Sequence, residues 1–140
     1  MGEVSLDELR SRGAGTLVEL LGIEFLSVDK TRVTSRLSVR PVLLAPNGYL
    51  HAATIVALAD TSCGYGSMRN LPAGAQGFTT IELKTNFLGT VLKGAIACTA
   101  VLLHGGRTTQ VWDATISDEA TGKTIALFRC TQLLLYPRAG

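Results

Sequence analysis

The 140-residue chain is predicted to adopt an α+β fold, with one long central helix packed against an antiparallel sheet of about six strands. Three observations predict it. The segment from Leu50 to about Met68 is rich in helix formers and too long for a strand. The segments on either side alternate apolar and polar residues with the period of a half-buried strand. The later strands are joined by short turns, which only antiparallel neighbours allow.

Taken in order, the first twenty residues read as one or two short helices. Leu6 and Leu9 form one apolar pair, and Leu17, Val18, Leu20 and Leu21 form a second patch ending near Gly22. Gly22 to Val28 reads as a strand. A second strand follows, with Val33, Ser35, Leu37 and Val39 on one face and Thr34, Arg36, Ser38 and Arg40 on the other. Pro41 to Gly48 is a loop, marked by the turn signal Pro46-Asn47-Gly48. After the helix, Thr79 to Leu88 alternates, with Ile81, Leu83, Thr85 and Phe87 expected on one face and Thr80, Glu82, Lys84 and Asn86 on the other. Lys93 to His104, Thr108 to Ile116 and Lys123 to Tyr136 are three further strands, expected to form a meander across turns at Gly105-Gly106 and Asp118 to Gly122. No repeat or linker divides the chain, so residues 1–140 are expected to form a single domain.

Composition narrows the function. Hydrophobic residues make up 46% and charged residues 17%, and mean hydropathy is +0.30, so extensive burial is expected. The apolar run Gly94 to Leu103 is about half the ~20 residues a spanning helix needs, and Met1 to Arg10 holds Glu3, Asp7 and Glu8, unlike a signal peptide. No membrane partner is expected, and an oligomer interface accounts for the apolar excess. The net charge of +2 comes from scattered residues, so no nucleic-acid partner is expected. Cys63, Cys98 and Cys130 are far apart in apolar settings, without a Cys-x-x-Cys or a His-rich tract. They read as reduced core cysteines of a cytoplasmic protein, with no metal expected.

The central helix carries the chemistry. From Ala52 to Cys63 apolar residues occupy nearly every direction around the axis, the pattern of a buried helix. Asp60 is the only charged residue between His51 and Arg69. A buried carboxylate is costly, and its perturbed acidity suits a general base or nucleophile. The bland alternative is that Asp60 bonds nearby hydroxyls, such as Thr61 and Ser62, and only stabilises. Ala53, Ala57, Cys63, Gly64 and Ser67 share its face and are all small. They leave room for a substrate, or they serve close helix–sheet packing. At the helix start the N–H groups of Ala52 and Ala53 are unpaired donors, where the helix dipole favours negative charge, unless loop groups or water satisfy them. Ala52 and Asp60 are about 12 Å apart along one helix, whereas a reacting carbonyl needs nucleophile and oxyanion donor each within about 3 Å. If both act, they belong to two chains related by a two-fold axis.

Pro46-Asn47-Gly48-Tyr49-Leu50-His51-Ala52-Ala53, followed by Ala59-Asp60-Thr61, resembles the hotdog-fold thioesterases of the phenylacetic-acid-degradation and 4-hydroxybenzoyl-CoA type. That family has His-Gly-Gly at the start of its central helix and an acidic residue nine positions after the His, the spacing of His51 and Asp60. The likeness extends through Thr80-Ile81-Glu82-Leu83, Asn86-Phe87-Leu88 and Gly105-Gly106-Arg107. It implies a helix wrapped by an antiparallel sheet, a homodimer with two composite sites and often a homotetramer, and hydrolysis of an acyl-CoA thioester without a further cofactor. On this resemblance Asp60 is the nucleophile or the general base, the Ala52 N–H polarises the carbonyl, His51 fixes the helix start, and Thr80 helps hold the water or the carboxylate. Asn47, Ala53, Thr61 and Arg107 are the expected substrate contacts, Arg107 through a CoA phosphate unless it is simply a solvated turn residue. Two departures stand out. Ala52-Ala53 replaces Gly-Gly, and Ala45 stands where the family commonly has an amide side chain, a role Asn47 takes over unless it is only a turn former. Two other functions fit less well. A hotdog hydratase or dehydratase needs a His facing the acid. A non-catalytic acyl-CoA-binding module has no use for a buried carboxylate.

Overall fold

The computed structural model describes residues 4–138, so Met1 to Glu3 of the N-terminal segment lie outside the described residues. Two short helices come first, α1 (Leu6–Arg12) and α2 (Leu17–Leu21). Their starts are written locally: Ser5 and Glu8 form a reciprocal capping box, and Thr16 accepts the Val18 N–H. Gly22 ends α2 with φ +74°, a left-handed conformation that favours glycine. Then follow β1 (Ile23–Val28), β2 (Arg32–Ser38), a single 3-10 turn (Pro41–Leu43), the long helix α3 (Ala52–Arg69), β3 (Gly77–Phe87), β4 (Ala95–Gly105), β5 (Thr109–Asp118) and β6 (Thr124–Leu135).

The six strands form one antiparallel sheet in the order β1-β2-β4-β5-β6-β3. The expected meander is β4-β5-β6. Although β3 precedes β4 in sequence, it pairs with β6 at the far edge, and residues 88–94 carry the chain back across the sheet to β4. The sheet curls around α3, which touches all six strands. Trp112, Leu37, Ile55, Leu58, Ile96, Ile116 and Ile125 are fully buried between them. Burial of each large side chain contributes about 1.5–3 kcal/mol.

Two sequence expectations need correction here. The first concerns α3, whose apolar circumference predicts burial on every side. The sheet covers only one side. Thr54, Ile55, Leu58, Ala59, Ser62, Cys63, Gly64, Gly66 and Ser67 are buried, while Ala53 is exposed and Val56, Ala57, Asp60 and Thr61 are half-buried. The small residues divide accordingly. A Cβ on Gly64 would lie 3.0 Å from the Phe78 ring, and one on Gly66 would lie 2.3 Å from Trp112. Toward the C-terminus, small residues therefore let the helix settle on aromatic rings. Toward the N-terminus, Ala53 and Ala57 leave an uncovered strip.

The second correction concerns β3. Its register against β6 shifts between Thr80 and Glu82, where Ile81 is an extra residue. This β-bulge reverses the alternation. Thr80 pairs with the buried Gln132 and Leu83 with the buried Cys130, so both face the helix. Glu82, Lys84 and Asn86 face outward. Thr80 therefore does not share their face, contrary to what simple alternation predicts.

Candidate active site

The loop before α3 is tightly held. The Ala45 N–H donates to Tyr49 O (2.7 Å), and the Gly48 N–H donates to Ala45 O (2.9 Å), with Gly48 at φ +90°. Asn47 Oδ1 accepts the Tyr49 N–H at 3.2 Å, which closes the turn from within. The Leu50 N–H donates to Thr90 Oγ1 (2.9 Å), and the His51 N–H donates to Leu43 O (3.1 Å). Thr54 adds a buried bond to the same Leu43 carbonyl (3.0 Å). These contacts fix the angle at which the chain enters the helix.

His51 is the N-cap residue of α3, with extended backbone (φ −64°, ψ 135°). Its Nδ1 accepts the Ala53 N–H at 2.9 Å. Ala53 is thus not a free donor, contrary to the expectation that both alanine N–H groups are unpaired. The cap requires a neutral imidazole with its proton on Nε2. The Ala52 N–H has no partner among the described residues, and Ala52 lines a largely apolar cavity of about 430 Å³. Asn47, Tyr49, Leu50, Ile55 and Phe87 are among the other lining residues. A single unpaired donor at a helix start, beside an apolar cavity, suits a carbonyl oxygen that gains negative charge.

Asp60 sits in the middle of α3, half-buried. Thr80 Oγ1 donates to Asp60 Oδ1 at 3.2 Å, and the same hydroxyl lies 2.7 Å from Gln132 Oε1. Burial raises the Asp60 carboxyl above the ordinary carboxylate range, and the Thr80 hydrogen bond pulls it partly back. Its neighbours do not neutralise it as an internal polar cluster would. Ser62 instead donates to Leu58 O (2.8 Å) and lies 2.7 Å from Ser35 Oγ. Behind Asp60, the hydrogen bond with Cys130 and burial hold the Cys63 thiol well above its usual range. The three cysteines are buried and free.

The structure brings Asn47, His51 and Ala52 to the cavity, and Asp60 to Thr80, but it keeps the two groups apart. Asp60 and Thr80 do not line the cavity. Ala53 and Thr61 lie on the uncovered strip of α3. Arg107 is exposed in the β4–β5 turn, where its carbonyl accepts from the Tyr136 hydroxyl. The neighbouring Thr109 pairs with Leu133, beside the Gly77 end of β3, whereas Phe87 and the cavity lie at the other end. Gln132 is a site residue that alternation along the sequence does not reveal. The one available signal was an amide among the apolar alternate residues Phe128, Cys130 and Leu134 of β6. Among the described residues no cluster of His, Cys, Asp and Glu is arranged to hold a metal ion, and no helix is long and apolar enough to cross a membrane.

This fold and its helix-centred carboxylate define a class. Residues 47–125 match the thioesterase superfamily, and the chain belongs to that family, with the hotdog fold. Among curated relatives, it is 35% identical over 115 residues to the 1,4-dihydroxy-2-naphthoyl-CoA hydrolase of Listeria monocytogenes, covering 82% of this chain and 92% of the relative. It is 30% identical over 118 residues to the proofreading thioesterase EntH of Cronobacter turicensis, covering 83% and 84%. The crystal structure of a mutant of thioesterase PA1618 from Pseudomonas aeruginosa superposes with a TM-score of 0.89 at 28% identity, covering 95% of each chain. The chain is a thioester hydrolase.

Proposed function

We propose that the protein is an acyl-CoA thioesterase of the cytoplasm that acts as a homodimer or larger assembly, with each site shared between two chains. The observation that carries this reading is the placement of the two functional groups along α3. The free Ala52 N–H and the Asp60 carboxylate are about 12 Å apart on one helix. Two α3 helices running antiparallel across a two-fold axis bring the start of one beside the middle of the other. The uncovered strip formed by Ala53, Val56, Ala57, Asp60 and Thr61 is the surface such a partner would meet. Homotetramers then arise from further pairing of dimers.

In this reading the acyl group enters the cavity beside Tyr49, Ile55 and Phe87, and the thioester oxygen accepts the Ala52 N–H. Asp60 of the other chain attacks the carbonyl carbon, or takes the proton of an attacking water, and the C–S bond breaks to release CoA as its thiol. His51 keeps the helix start in place and Asn47 shapes the cavity rim. No cofactor beyond the CoA of the substrate enters the scheme. The hydratase reading is less well supported. His51 Nδ1 is engaged with Ala53 and His104 is exposed on β4, so neither pairs with Asp60.

The test uses aryl-, short- and medium-chain acyl-CoAs and follows free thiol, beside Asp60→Asn. Wild-type turnover with a loss of about 100-fold or more in kcat for the variant is expected. Equal turnover by both proteins removes Asp60 from the mechanism. Because Asp60 works ionised and burial raises its pKa, activity should fall on acidification at a pH above the usual carboxylate value of about 3.9. The same shift fixes the sign for stability. An acid with a raised folded pKa favours the fold only while protonated, so stability falls as pH rises toward that pKa and the cost persists above it. Asp60→Asn should therefore melt at a higher temperature than wild type at neutral pH.

A further inference from the structure

Gln132 lies across β3 from Thr80 and is completely buried. The residues of β6 that share its face are Ala126, Phe128, Cys130 and Leu134, all apolar and buried. An amide in such a row is unfavourable unless both its ends find partners. Its neighbour on β5, Gln110, is already engaged, donating to Asn70 O (2.9 Å) and accepting from Trp112 Nε1 (3.0 Å). Two groups remain for Gln132: Thr80 Oγ1 at 2.7 Å and Cys130 Sγ at 3.5 Å.

The proton count decides how they are used. The Thr80 hydroxyl has one proton and stands between the Asp60 carboxylate and the Gln132 amide. If the amide oxygen faces Thr80, two acceptors compete for that proton, and the amide nitrogen has only a thiol sulfur, a weak acceptor. If the amide nitrogen faces Thr80, each of the three contacts has one donor and one acceptor, and no two acceptors compete for a proton. The Cys130 S–H donates to Gln132 Oε1, Gln132 Nε2 donates to Thr80 Oγ1, and Thr80 donates to Asp60. The two ends of a carboxamide have the same outline, so the bonding network selects between them.

We propose that Gln132 is a positioning residue whose amide donates to Thr80 and so commits the Thr80 proton to the Asp60 carboxylate. Its importance for hydrolysis rests on the reading of Asp60 given above. The bulge at Ile81 is part of the device, because it turns Thr80 onto the face that Gln132 occupies. The titratable groups beside this chain are the thiols of Cys63 on α3 and Cys130 on β6. The charged residues Glu82 and Lys84 of β3, and Arg129 of β6, project from the other face of the sheet.

The test is an NMR titration of the Asp60 carboxyl carbon in wild type, Gln132→Met, Thr80→Val and the double variant. It needs no substrate, so it stays readable even if the protein hydrolyses no acyl-CoA. Gln132→Met is expected to raise the proton affinity of Asp60 by up to about twofold, because Thr80 still donates to the carboxylate but loses the polarising bond behind it. Thr80→Val, which removes that bond outright, should raise it roughly three- to tenfold, and the double variant should go no further than Thr80→Val. A lower proton affinity in Gln132→Met would mean that the amide had been drawing the Thr80 proton away, and an unchanged one that it does not act on it; either overturns the proposal. Should Gln132→Met not fold, the wild type decides. Nuclear Overhauser contacts from the Gln132 amide protons to the Thr80 methyl support the proposal, and contacts to the Cys130 β-protons alone refute it. In an active enzyme, the acid limb of kcat/KM moves with the carboxyl titration, which a purely structural Gln132 would not produce.

Discussion

The two functional regions of α3 are built on opposite principles. Its entrance is an apolar cavity with one free backbone donor, held by a loop whose hydrogen bonds are local. Its middle is a carboxylate backed by a polar chain through Thr80 and Gln132, assembled from three elements distant in sequence. The entrance is suited to hold a neutral carbonyl as it becomes negative, and the middle to hold a negative charge ready to react. On the reading proposed above, the difference teaches that one chain carries two unlike halves of a site, each completed by a second chain.

The largest effect should come from removing the donor at the entrance. Ala52 is the first residue of α3, where proline is tolerated, and His51 already has the extended backbone a following proline prefers. Ala52→Pro should therefore keep the helix while deleting the N–H, with kcat falling about 10²- to 10³-fold. Mixing Ala52→Pro with Asp60→Asn chains then tests the partition. Each mixed dimer has one site with both lesions and one intact site, so random reassembly should restore about a quarter of wild-type activity. No recovery in verified mixed dimers would place both groups in the same chain's site and break the comparison.

Intermediate effects concern the packing that sets the two halves. Gly66→Ala places a methyl against the fully buried Trp112, whose indole is pinned by Gln110. It should destabilise by about 1–3 kcal/mol in denaturant unfolding, because neither the helix nor the ring has room to yield. The smallest effect is expected at the cap. His51→Ala should cost about 1 kcal/mol of stability through the lost bond to Ala53. It should also lower kcat less than Ala52→Pro, since the Ala52 donor remains. A larger loss would give His51 a direct part in the chemistry.

Much of this was legible from short-range pattern. The helix over Ala52–Arg69, the turn at Asn47-Gly48, the meander and the isolated Asp60 all follow from propensity, periodicity and spacing. The face of Thr80 was not legible. Strict alternation put it with Glu82 and Lys84, and only pairing with β6 exposed the bulge at Ile81. Nor did the apolar circumference of α3 reveal which side the sheet leaves open, since a buried side and an uncovered apolar side have the same composition.

By itself, the sequence determined the order of the elements and their bounds to within about two residues, that one carboxylate interrupts an apolar helix, and that nine positions separate His51 from Asp60. Those properties depend on residues close along the chain. The tertiary structure alone decided that β3 joins β6 at the sheet edge, that Thr80 turns to Asp60, and that Gln132 stands behind it. These depend on which strands pair and in what register, a choice made by contacts across the whole sheet, where a single extra residue reverses every side chain that follows.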